Sequence, residues 1–131
     1  MNIKTAVVLV GAGLLLAARP VVAHHAFAAE FDAAKPVKLT GAVTKVDWTN
    51  PHAWIYVDIK DETGKVANWG FELASPNGLM RNGWTRFSLK PGEVVTIEGT
   101  RAKNGSTNAN AAAVIIASTG QKLFAGSSQP Q

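Results

Sequence analysis

No cysteine occurs among the 131 residues, so no disulfide can staple the fold. Small exported domains often depend on such staples; a chain without them must hold together by its core. The absence also removes a thiol nucleophile, and no serine sits in a recognisable nucleophile elbow. Acidic residues are few, nine against 13 Lys and Arg. The one extended apolar run, from Ala6 to Ala18, falls short of the roughly 20 residues that a membrane span needs.

That run does carry another signal. Lys4 precedes it, and Val21-Val22-Ala23 places small or β-branched residues where a signal peptidase reads. Residues 1–23 are expected to be a secretory signal peptide, with an uncleaved anchor the lesser alternative. Cleavage after Ala23 would leave 108 residues starting at His24. Losing Lys4 and Arg19 takes the basic count from 13 to 11 against nine acids, a net charge of +2. A charge that small points to solubility and not to a polyanionic partner. The expected product is periplasmic or secreted, without stable membrane insertion once the signal is removed.

Residues 24–36 are taken as an N-terminal arm that docks through Phe27 and Phe31, which stand at helical spacing. Lys35-Pro36 breaks the chain, and a first strand is expected from Val37. Val37, Leu39 and Val43 alternate with Lys38, Thr40 and Thr44, the period of a strand with one buried face. Gly41 interrupts it, and after Val43 the apolar parity moves to Val46 and Trp48, which predicts a bulge. A second strand covers Ala53–Lys60, a hairpin loop Asp61–Lys65, and a third strand Val66–Leu73. Pairing Tyr56 with Gly70 puts Trp54 opposite Glu72 and Asp58 opposite Asn68 outside. Ile55, Val57 and Ile59 then meet Phe71, Trp69 and Ala67 inside. The Tyr56 ring would cover the gap left by Gly70.

Ser75-Pro76 reads as a helix start, with Ser as N-cap and Pro at the first helical position. The helix is expected over Pro76–Asn82, with Leu79 and Met80 inward, and to end at Gly83. Pro91-Gly92 occupies the centre of a type II turn. A fourth strand over Val94–Arg101 buries Val95 and Ile97. Residues 103–110 read as a polar loop, 111–117 as a fifth strand, and Lys122-Leu123-Phe124 as a short sixth. Residues 126–131 are a polar tail. Three strands, a short helix and two further strands make the OB-fold arrangement, a five-stranded all-β barrel spanning residues 37–125. A β-sandwich would have no use for a helix at that point.

Four stretches carry a family resemblance: His24–Asp32 (HHAFAAEFD), Trp48–Trp54 (WTNPHAW), Phe71–Asn77 (FELASPN) and Leu89–Gly92 (LKPG). Together they resemble an uncharacterised family of small exported bacterial proteins, domain of unknown function 6152. The resemblance covers nearly all of the chain after the signal peptide and implies an exported, β-rich, OB-like domain. It brings no activity, cofactor or catalytic residue.

The chemistry concentrates around Trp48-Thr49-Asn50-Pro51-His52-Ala53-Trp54. A ligand-binding platform is expected from Trp48, Asn50, His52, Trp54, Tyr56 and Glu72, with Trp48 and Trp54 paired across the strands. Large aromatics on an outer sheet face call for cover from a ligand, a partner protein or envelope component, or the chain's own arm. The plain structural account gives that cover to Phe27 and Phe31. A second reading is a copper site. Cleavage before His24 would free an amine beside its own imidazole, and His52 or His25 would complete a nitrogen set suited to Cu(II).

Two readings are weaker. Trp54, Tyr56, Arg81, Trp84 and Arg86 could serve an oligonucleotide binder, yet Asp58 and Glu72 share the proposed face. Glu72 or Asp47 beside His52 could form the acid–base pair of a small hydrolase, but no nucleophile and oxyanion donor accompany them. The expectation is a binding or accessory module, not an enzyme, with no established cofactor and no nucleic-acid partner.

Overall fold

The structure, a computed structural model, describes residues 29–126. The chain divides after Glu30, and the unit beginning at Phe31 is the one described below. His24, His25 and Phe27, and with them the expected signal peptide and copper amine, lie outside the described residues.

Six strands and one short helix follow in order: β1 (Phe31–Asp47), β2 (Trp54–Lys60), β3 (Val66–Glu72), α1 (Pro76–Arg81), β4 (Val94–Ala102), β5 (Asn108–Ile116) and β6 (Lys122–Phe124). The sheet runs β3-β2-β1-β4-β5-β6 and is closed by a further β3–β5 pairing. Five strands therefore form a ring, with the helix between the third and fourth. This is the expected OB-like barrel.

β1 makes the ring possible because it serves two neighbours. Its first part pairs antiparallel with β4, from Phe31↔Ala102 to Ala42↔Val94. Its last part pairs with β2, from Gly41↔Ile59 to Asp47↔Trp54. The register slips between Val43 and Lys45, where the apolar parity changes. The extra residue turns Val46 and Trp48 back onto the core.

β1 begins at Phe31, six residues ahead of the expected Val37. Between Phe31 and Pro36 its register against β4 shifts, so Asp32–Lys35 bulges. Pro36 is tolerated because β1 is bonded here on its β4 side only. β5 also begins early, at Asn108 instead of about Ala111. Asn has little strand preference; the parallel pairing Gly70↔Asn108, Phe71↔Ala109 and Glu72↔Asn110 imposes the extended form.

The β2–β3 register matches expectation at every pair, Tyr56↔Gly70, Trp54↔Glu72 and Asp58↔Asn68 included. Ile55, Val57 and Phe71 are accordingly buried, with Val43, Val95, Ile97 and Val114 from the other strands. α1 closes one end of the ring. The Ser75 hydroxyl accepts from the Gly78 N–H at 3.2 Å, Pro76 stands in the first turn, and Gly83 follows at φ 88°. Leu79 is fully buried, whereas Met80 is 52% exposed, contrary to the inward position expected for it. A helix this short shows the core one narrow stripe, and Leu79 fills it.

Candidate functional site

The loop joining β1 to β2 is tied to the β3–α1 junction. The Leu73 N–H donates to the Ala53 carbonyl at 2.8 Å, and the Ala53 N–H to the Ala74 carbonyl at 3.1 Å. This clamp brings His52 to Glu72. The His52 Nδ1 lies 2.9 Å from the Leu73 carbonyl and 3.6 Å from Glu72 Oε1. A carbonyl can only accept, so Nδ1 carries the proton and Nε2 is left as an acceptor when the ring is neutral. The His52 side chain is 39% exposed and that of Glu72 14%. Asn50, joined to Pro51 by a cis bond, stands exposed on the same loop.

On the outer face of β2, Trp54 and Tyr56 stack with ring centroids 6.5 Å apart and planes 19° from parallel. The Lys45 ammonium sits 5.5 Å from the Tyr56 ring centre and 3.1 Å from an Asp47 carboxylate oxygen. Gly70 lies behind the rings. A Cβ there would stand 3.3 Å from Tyr56 Cε1, 3.6 Å from Trp54 Cζ3 and 2.7 Å from Asn108 Oδ1. The missing side chain is what lets the rings settle flat. Further along, Asn68 Nδ2 donates to Asp58 at 2.9 Å and to Thr44 at 3.0 Å, fixing that edge.

Of the six expected platform residues, Trp54, Tyr56, Glu72 and His52 come together, with Asn50 at the rim. Trp48 does not share their face. It packs against the core on the side of Val46, while Trp54, opposite Asp47, faces out. The expected pairing of the two tryptophans is replaced by the Trp54–Tyr56 stack. Phe31 is buried and opens β1 opposite Ala102. That is the other end of a 17-residue strand from Asp47, the neighbour of Trp54. Trp84 is also core: it is 3% exposed, and its Nε1–H donates to the Phe124 carbonyl at 2.9 Å.

Lys45, Asn108 and Asn110 were missed in the sequence. The signal was present in Asn108-Ala109-Asn110-Ala111, which alternates polar and small apolar residues with a strand's period. Among the described residues, no group of three or more His, Asp or Glu side chains could hold a metal ion. Of the expected copper set only His52 is described.

The fold and this face define a small OB-like barrel with an aromatic platform on the strands that such barrels use for binding. The chain belongs to the family of unknown function DUF6152, whose model matches residues 12–111. No curated protein and no solved structure matches it.

Proposed function

We propose that the protein is an exported binding module that takes a neutral, ring-bearing envelope ligand on the outer face of β2 and β3. Oligosaccharide is the class this face fits best. The observation that carries the reading is the Trp54–Tyr56 stack, two half-buried rings lying nearly parallel in front of Gly70. A flat apolar platform bordered by carboxylates and amides suits the C–H faces and hydroxyls of sugars. Asp47, Asp58 and Glu72 along the same face repel a phosphate backbone, which works against a nucleic-acid ligand. Export rests on the leader-like residues 1–23.

The test is a tryptophan-fluorescence titration of the secreted protein with a soluble β-linked oligosaccharide such as chitotetraose. Binding is expected to quench or shift the emission and to weaken by roughly tenfold or more in Trp54→Ala, on the scale of the about 1–3 kcal/mol that a base stacked on an aromatic side chain contributes. Equal affinity in Trp54→Ala removes the platform from the function.

A second reading rests on His52, whose Nδ1–H is engaged by Leu73 and whose Nε2 remains free to ligate. On it, the mature chain binds Cu(II) through the His24 amine, with His52 or His25. Adding one residue before His24 is then expected to weaken Cu(II) binding, and unchanged affinity rejects the amine as ligand.

A further inference from the structure

α1 stoppers only one end of the barrel. At the other end, where β2 and β3 meet in their hairpin, Leu39, Ile59, Ala67 and Trp69 line a cavity of about 460 Å³. Its volume falls in the range of small-molecule sites, about 300–1,000 Å³. Leu39, Ile59 and Ala67 give it an aliphatic wall.

Trp69 supplies the aromatic surface, and it is held in place. Phe71 stacks on it at 6.1 Å between ring centroids and 22° between planes. The Arg101 guanidinium stands 5.3 Å from its ring centre. Arg101 is fixed in turn by an Nη2–H bond to the Gly105 carbonyl at 2.9 Å. Its buried Nε has no hydrogen-bond partner among the described residues. An indole clamped in this way loses little freedom when a ligand covers it, so contact with it contributes more to affinity.

The rim has a sign. The hairpin places Lys60, Asp61, Glu62 and Lys65 around the opening. Asp61 is already engaged, accepting from the Thr63 N–H, the Thr63 hydroxyl and the Lys65 N–H at 2.8, 2.6 and 3.0 Å. Neither lysine has an ion-pair partner among the described residues. The donors to Asp61 are neutral and leave it charged, so two ammonium groups meet two carboxylates at the rim, and the Arg101 cation against Trp69 leaves one positive charge in excess. The net field at the opening favours an anion.

We propose that this mouth is a second binding site, separate from the Trp54–Tyr56 face, for a small amphipathic carboxylate. Its aromatic or short acyl body lies against Trp69 and the aliphatic wall, and its carboxylate lies between Lys60 and Lys65.

Calorimetric titration of the secreted protein with octanoate tests this, with octylamine and octanol as size-matched cationic and neutral controls. Octanoate is expected to bind roughly tenfold or more tightly than octylamine, with octanol between them. The double variant Lys60→Glu/Lys65→Glu, confined to exposed side chains, is expected to reverse that order without moving the thermal midpoint. Ala67→Phe is expected to abolish binding by filling the cavity, while Trp54→Ala leaves it intact. Equal binding of octanoate and octylamine overturns the proposal, as does no octanoate binding at about 1 mM. So does an octanoate affinity unaffected by the charge reversal. A loss in Trp54→Ala equal to that in Ala67→Phe would place the ligand on the outer face instead.

Discussion

Glycine inside a strand usually weakens it, but Gly70 gives the platform its shape. A larger side chain would press on Tyr56 Cε1 and drive off the Asn108 amide. Gly70→Val is expected to cost about 1–3 kcal/mol, the usual range for overpacking, and to separate Trp54 from Tyr56. Urea unfolding reads the first effect and near-ultraviolet circular dichroism the second; an unchanged aromatic spectrum would mean the rings do not depend on that gap. Asp61 gives a pH-dependent counterpart. Its hydrogen bond from the Thr63 hydroxyl, joined by those from the Lys65, Thr63 and Gly64 N–H groups, holds its carboxyl below the usual carboxylate range. A lowered folded-state pKa stabilises above the unfolded value, and the gain is lost as pH falls through the folded one. Asp61→Asn is therefore expected to lower the thermal midpoint at neutral pH and to converge with the parent chain by about pH 2. A constant gap across that range would show that the carboxylate charge is irrelevant to the hairpin. The Tyr56–Gly70 relation was legible in the sequence because a short loop sets a hairpin's register and alternation fixes its faces. The partners Lys45 and Asn108 were not, since they come from strands far along the chain.

The elements differ in how much of their definition is local. β2, β3 and α1 announce themselves through alternation, the Asp61–Lys65 loop and the Ser75-Pro76 cap, and they stand within a residue or two of where those signals put them. β1 and β5 are set by their neighbours. Lys35-Pro36 breaks a chain considered alone, yet the β4 edge accepts it; Asn108–Asn110 reads as loop until β3 supplies partners. The same long-range pairing explains why two other strand glycines are stricter than Gly70. Gly41 pairs with both Ile59 and Val95, at the point where β1 passes from one neighbour to the other. A Cβ on it would run into the Asp58 carbonyl, and one on Gly99 into the Asn110 carbonyl. Backbone cannot swing aside as an amide side chain can. Gly41→Ala and Gly99→Ala are each expected to destabilise more than Gly70→Ala, by about 1–3 kcal/mol or more, measured by equilibrium unfolding in urea. If all three alanine variants unfold alike, close backbone approach does not limit the barrel's closure.

At the scale of the whole molecule, three strands, a helix and two strands were enough to foresee an OB-like ring, because a helix at that point has one natural use. How the ring closes was not foreseeable from alternation alone. The β3–β5 seam has three residue pairs, against eight between β1 and β4. Local opening costs least where the fewest pairs must break, so the seam is the expected weak line of the barrel. It also lies beside the proposed platform: Asn108 overhangs Gly70, and Asn110 pairs with Glu72. Weakness and binding are then linked, because a ligand that binds only the closed ring stabilises closure by mass action. Amide exchange at residues 108–110 is expected to be faster than in the paired middle of β4 in the free protein. Saturation with a ligand of the Trp54–Tyr56 face should slow it. Exchange at the seam as slow as in β4 without ligand would show instead that the core beneath Phe71 and Ala109, and not the count of strand pairs, governs the opening of the ring.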